Sequence, residues 1–343
     1  EDILNHTHPL FTLAQKVRWS IFEEAFLPLY SQDAGRPAKS IRLMVGLLIL
    51  KHIRNISDES VVEQWSENNY YQYFCGETSF VAGVPCEASE LVHFRKRIGE
   101  TGIELILKES IRINGDDSND SNVNIDTTVQ EKNITFPTDA KLHKKIIDKC
   151  KRIADNEGIS LRQSYTRTLK KLSVDQRFRN HPKNKAKAKK ADKKVKTIAG
   201  RLVREIERNL APRSIYQIDL DLFKRILAQT KQSINKIYSL HEPDVCCISK
   251  GKDHKKYEFG NKASIVKTDT GVIVGALGFR NEYDGHTLEP ALEQVLRLTG
   301  QLPKKAKVDR GYRGKKQIGQ TEIMIPSTPK KSDTYYQRNK LSK

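Results

Sequence analysis

Two acids interrupt apolar segments. In NVNIDTTVQEKN (122–133), Asp126 follows Val123 and Ile125 and precedes Val129. In KAKVDRGYRG (305–314), Asp309 closes a second short apolar run. Aspartate is a poor strand former, and a buried carboxylate is costly unless it is paired or bound to a cation. Each acid is expected late in its strand, where a side chain can reach the carboxyl edge of a sheet. If the two strands are neighbours, both acids point at one spot. Adjacent carboxylates repel and rise in pKa unless a cation lies between them. Magnesium suits such a pair, being hard and satisfied by one or two carboxylates plus phosphate oxygens. Two such ions can activate water and stabilise the leaving oxygen of a phosphodiester. Spacing alone is equally compatible with two surface acids paired to lysines.

Lysines are plentiful. The 343 residues carry 61 Lys and Arg against 42 Asp and Glu, a formal charge of +19. A surplus of that size implies a polyanionic partner, most often nucleic acid. Hydrophobic residues make up 37 %, enough for a lean core, and charged residues 30 %. Length alone suggests two or three domains at about 150 residues each. Five cysteines, Cys75, Cys86, Cys150, Cys246 and Cys247, have no metal-binding or disulfide spacing, which indicates reduced thiols. The longest apolar stretch runs from Leu43 to Leu50, too short to span a membrane. No signal peptide is visible, and a cytoplasmic, nucleoid-associated location is expected.

The elements that must position the acids divide the chain four ways. Residues 1–113 are expected to form an all-α DNA-binding domain. Ile41, Val45, Leu48 and Ile49 recur at helical spacing behind the cap Ser40, and Asp58 starts the next helix. Leu91, Phe94 and Ile98 form a stripe in SELVHFRKRIG (89–99), leaving Arg95, Lys96 and Arg97 on other faces. A turn followed by a basic helix suits the major groove; an ordinary bundle with a solvated basic face fits equally well. Residues 114–138 are a polar linker (NGDDSNDSN, 114–122) and the first core strand.

Residues 139–245 are a helical, Lys-rich insertion. One helix starts around Leu142, Ile146 and Ile147. A second carries Val195, Ile198, Leu202, Val203 and Ile206. A third runs from about Leu220 to Tyr238. Residues 183–196 hold eight lysines against one acid, Asp192, either a phosphate-contacting surface or a solvated face. Residues 246–343 are the remainder of the core. They comprise a hairpin over 256–279 turning at TDTG, a helix capped by Thr287, the strand ending at Asp309, and a last strand TEIMIP (321–326).

Several blocks resemble a bacterial transposase of insertion-sequence family five, in the DDE group. They are NIDTTVQEKNITFPTDAKL (124–142), HEPDVCCISKGKDHKKYEFGNK (241–262), NEYDGHTL (281–288) and KVDRGYRGKK (307–316). GRPAKSIRLMVGLLILKHIRNISDESVVEQW (35–65), YYQYFCG (70–76) and LVHFRKRIG (91–99) resemble the N-terminal domain of the same family. The resemblance implies an α/β ribonuclease-H-like mixed β-sheet core with a large helical insertion after the first strand. It implies Asp126 and Asp309 as catalytic residues and metal ligands, with Mg2+ as cofactor and Mn2+ as substitute. It implies nicking and strand transfer on double-stranded DNA by a homo-oligomer.

The family's third acid is a glutamate on a helix beyond the last strand. Glu322 lies within that strand and Asp333 in a polar loop, and neither has the expected context, so a chain truncated at its C-terminus is expected. The alternative is a catalytically inactive DNA-binding fragment acting as a regulator or inhibitor. Basic residues around the acids, Arg310, Arg313, Lys315 and Lys316, and the loop Lys250, Lys252, Lys255 and Lys256, are candidates for DNA contact. His286 is a candidate for phosphate contact or proton transfer. Asp284 fits a turn-stabilising role, and Tyr312 fits a base-stacking or a core position.

Overall fold

Ser40 accepts a hydrogen bond from the Leu43 N–H (3.2 Å) and so starts a helix that buries eight of its residues. In the computed structural model, which describes residues 4–31, 37–211, 214–249, 256–280, 282–312, 314–326 and 334, six helices occupy the first third. They are α1 (Pro9–Lys16), α2 (Trp19–Phe26), α3 (Ile41–Arg54), α4 (Asp58–Glu67), α5 (Asn69–Phe74) and α6 (Ala88–Ile113). There follow β1 (Asn122–Glu131), α7 (Asp139–Asn156), α8 (Thr166–Asp175), α9 (Pro182–Asn209), α10 (Gln217–Ala228), β2 (Cys246–Ser249), β3 (Tyr257–Thr268) and β4 (Ile273–Phe279). Last come α11 (Leu288–Thr299), β5 (Lys305–Val308), β6 (Gln317–Ile318) and β7 (Thr321–Met324). The fold is mixed α/β. Its seven-stranded sheet has the order β2-β3-β1-β5-β7-β6, with β4 on β3.

The chain divides into two compact units, one of 1–126, 264–277 and 284–343, the other of 127–263 and 278–283. In the first unit, α1 to α6 bury Leu47, Leu50, Trp65, Phe74 and Leu91 in one cluster. Gly99 bends α6 in mid-course, with φ 61° and ψ −162°, a conformation natural to a residue without Cβ. The sheet portion of this unit is parallel where β1 meets β5 and β5 meets β7, and antiparallel between β6 and β7. Val123, Ile125, Ala306 and Val308 turn to one face, where Leu288, Leu292 and Val295 of α11 and Ile111 of α6 cover them. Alternate residues of a strand point to opposite faces, so burying this set fixes the pairing of β1 with β5.

In the second unit, α7, α9 and α10 bury Ile146, Ile147, Val195, Ile198, Leu202 and Phe223 together, and α8 lies against α9. β2 runs antiparallel to β3, pairing Cys246 with Gly260 through Ser249 with Tyr257. All five cysteines are free thiols. Burial pushes Cys150 up to about 12 and Cys86 to about 11, so neither is a thiolate at neutral pH.

Four local expectations need correction. The third insertion helix ends at Ala228 rather than near Tyr238, because the Gln229 side chain grips both backbone groups of Ile237 (3.0 and 3.1 Å) and folds the segment into a loop. The insertion contains a further helix, α8, that apolar periodicity does not show. β2 and β6 are also additional. Thr287 stands at the N-cap of α11, but its hydroxyl donates back to the Asp284 carbonyl (2.8 Å) instead of capping.

Candidate active site

The parallel ladder of β1 on β5 pairs Asn122 with Lys305, Val123 with Ala306, Asn124 with Lys307 and Ile125 with Val308. The next residue on each strand is an acid, Asp126 on one and Asp309 on the other. Ile125 and Val308 are buried, and both acids are exposed. The two acids therefore occupy the next position on neighbouring strands where the ladder ends. Asp309 does follow the last residue of its strand. Asp126 is instead fifth of ten in β1, because β1 continues past the end of the parallel pairing.

The lysine nearest in register, Lys307, is engaged elsewhere. Its ammonium contacts both carboxylate oxygens of Asp269 at 2.9 Å, and Asn124 Nδ2 donates to the same group at 2.8 Å. Lys307 first, then Asn124, hold the Asp269 carboxyl below its ordinary range. Among the described residues neither Asp126 nor Asp309 forms an ion pair. The pairing with abundant lysines that would make these acids ordinary surface groups is thus absent from the described residues.

Asp309 is oriented by its own turn. Its Oδ1 accepts the Gly311 N–H at 2.7 Å, and its carbonyl accepts from the Tyr312 N–H at 3.4 Å. A Cβ on Gly311 would stand 2.9 Å from Asp309 Oδ1 and 3.7 Å from Asp284 Oδ2. Two carboxylate oxygens therefore approach one point above Gly311. Asp284 opens the short 3-10 turn Asp284–His286 before α11, and that turn is tied down through its backbone carbonyl, which accepts from both the N–H and the hydroxyl of Thr287. The turn role suggested by sequence falls to the Asp284 backbone.

The remaining sequence candidates scatter. His286 is exposed on the same turn as Asp284, and Arg310 is exposed beside Asp309. Tyr312 is 1 % exposed and packs in the core cluster with Val308 and Leu292, so it takes the core position and its ring is not free to stack on a base. Lys315 pairs with Glu289 at 2.6 Å. Arg95 grips Asp58 with both guanidinium nitrogens (2.8 and 2.6 Å), and Arg97 lies 4.1 Å over the Tyr30 ring. Arg95 thereby ties α6 to α4, and Arg97 holds the segment that follows α2. Lys96 and Lys256 are exposed, the latter 5.6 Å from the Tyr257 ring. Arg313, Asp333, Lys250, Lys252 and Lys255 lie outside the described residues. Glu322 is exposed on β7, 3.9 Å from Lys305.

Residues 1–97 match a family model described as Transposase domain (DUF772). An uncharacterized protein of Rhizobium meliloti, ORF8 in the nfe locus, is 45 % identical over 186 residues, covering 53 % of this chain and 89 % of that protein. The chain belongs to a transposase family. No solved structure matches it. The family match takes in α1 to α5 and the part of α6 before the Gly99 bend, so both carboxylates of this transposase-family chain lie beyond it. No helix among the described residues is long and apolar enough to cross a membrane.

Proposed function

We propose that this chain is a DNA transposase of insertion-sequence family five, built on a ribonuclease-H-like core of the DDE type, that cleaves and transfers DNA strands. The observation that carries this reading is the parallel pairing of β1 with β5, which ends with Asp126 beside Asp309. Two neighbouring acids on strands, with no cationic partner among the described residues, are a donor set that suits magnesium. Asp126 and Asp309 are the residues that would hold it. The bound ion supplies charge neutralisation to a phosphodiester and to the oxygen that leaves it.

The chain's own work is positioning. The buried Ile125 and Val308 fix the register, and the Gly311 N–H fixes the Asp309 carboxylate. The charge of +19 draws in a polyanion. Lys96, His286 and Arg310, all exposed, would touch DNA.

The test is a nicking assay with the full chain and duplexes carrying the ends of the insertion sequence, with and without magnesium. Magnesium-dependent nicking at those ends that disappears in Asp126→Asn supports the reading. DNA binding without nicking in either form would favour a non-catalytic, DNA-binding regulator instead.

A further inference from the structure

The helical insertion contains a basic cleft that the carboxylate site does not use. It lies within the second unit, bounded by the N-terminal part of α7, one face of α9 and the segment 229–238, with a volume of about 720 Å³. Seven cationic side chains line it against two carboxylates. The two acids are neutralised within the cleft itself, Asp192 by Arg179 (3.0 Å) and Asp139 by Lys236 (3.1 Å). Lys231 and, on α9, Lys185, Lys189, Lys193 and Lys196 remain, and among the described residues none of the five forms an ion pair. The four on α9 are three or four positions apart in succession, so they stack on one helical face about one turn from each other.

A solvated face would need no more than that. This face, however, closes over a buried polar atom that has no hydrogen-bond partner. His143 lines the cleft from α7 together with the buried Leu142, Ala188 and Ile237. The histidine is 6 % exposed, and its Nδ1 has no hydrogen-bond partner. Buried polar groups are ordinarily hydrogen-bonded. Burial first, then the charge of Lys196, hold its imidazole below the ordinary histidine value. An anion in the cleft would relieve both the lysine repulsion and the histidine's isolation.

We propose that this cleft in the helical insertion binds backbone phosphates of DNA, with Lys189, Lys193 and Lys196 as the contacting cations and His143 at its floor. That DNA is the source of the phosphate rests on the transposase reading above; that the cleft takes phosphate rests on its own geometry. It gives the chain a second DNA contact, within the insertion, that reads charge rather than sequence.

The test uses the full chain, a duplex of arbitrary sequence and inorganic phosphate. Each phosphate contact contributes about 0.9 to the slope of log affinity against log salt. Replacing three exposed lysines together, Lys189→Gln, Lys193→Gln and Lys196→Gln, is expected to lower that slope by about 2 to 3 while leaving the melting temperature in place. An unchanged slope overturns the proposal. As a second measurement, the His143 imidazole resonance, assigned with His143→Gln, is titrated with phosphate and then with the duplex. Both are expected to raise its pKa in the wild type and neither in the triple variant. A response to phosphate but not to the duplex assigns the cleft to a free anion and overturns the DNA proposal. Loss of nicking by the wild type with the slope difference intact would remove the catalytic reading and leave the cleft standing. An unchanged slope with nicking intact would do the reverse.

Discussion

Ile125 and Val308 are partners in the parallel ladder between β1 and β5, and each is followed by an aspartate. Both are buried with Val123 and Ala306 against α11. A slip of one residue would turn this apolar set to the opposite face, so the hydrophobic core sets the alignment of Asp126 with Asp309. The core here determines where the charged groups meet.

From that alignment, Asp126→Asn and Asp309→Asn should each reduce magnesium-dependent nicking by about 10²-fold or more, the scale for removing a group that organises transition-state charge. Both residues are exposed, so stability should stay within about 0.5 kcal/mol of wild type. Asparagine keeps the oxygen that accepts the Gly311 N–H, so the Asp309 turn survives the change. Nicking rates, thermal melts and duplex affinity measured on the same preparations check this. Nicking retained in either variant would exclude that acid from the chemistry.

Gly311 should prove as sensitive as the acid it serves. In Gly311→Ala the new methyl group would stand 2.9 Å from Asp309 Oδ1, a separation that forces the carboxylate aside. A misplacement of about 1 Å at a reacting centre costs on the order of 10²-fold in rate. Gly311 is exposed, so the melting temperature should barely change. The readout is nicking at saturating magnesium compared with DNA affinity, and a fall in affinity alone would count against the positioning role.

Some of this arrangement was legible in the sequence and some was not. Asp126 and Asp309 stood out because each breaks an apolar run, and the hairpin β3–β4 showed itself through a TDTG turn between extended segments. Their pairing was not legible, because alternation reports which face a strand buries and not which strand lies next to it. α8 escaped because none of its residues is buried and it begins after Tyr165, a residue in left-handed conformation that gives it no side-chain cap. The end of α10 was set by Gln229 reaching Ile237, a contact across eight positions that no local pattern encodes. β2 and β6, four and two residues long, are too short to display a period.

The burial of Tyr312 separates two roles that spacing left open. With 1 % exposure and core neighbours on β5 and α11, Tyr312→Ala should destabilise the chain by about 3 to 5 kcal/mol, as truncating a buried aromatic does. Tyr312→Phe keeps the ring and should bind DNA as the wild type does. Chemical denaturation of the first variant and a binding isotherm for the second are the measurements. Weakened DNA binding by the phenylalanine variant, with stability unchanged, would return Tyr312 to the interface.

Acid should loosen the helical part of the first unit through two carboxylates. Glu109, 2 % exposed, would be raised by burial alone. The hydrogen bonds of Arg112 and Arg18 overcome this and bring it to about 2. Asp58 is likewise brought to about 2, chiefly by Arg95, against the opposing effect of burial and with help from Lys51. A carboxylate whose pKa is depressed by folding contributes stability that is complete above its unfolded value and disappears as pH falls through its folded value. The window therefore runs from about pH 4.5 down to about 2. Glu109→Gln forgoes its share at every pH, and at pH 7 it should cost about 1.5 to 3 kcal/mol, the range for hydrogen bonds to charged groups. Arg18 and Arg112 are partly exposed, so water takes up their charges and keeps the loss below that of a fully buried pair. Denaturation midpoints measured from pH 7 to pH 2 should show the wild type and Glu109→Gln converging as pH falls. Parallel curves across that range would mean that the Glu109 pair contributes nothing to acid sensitivity.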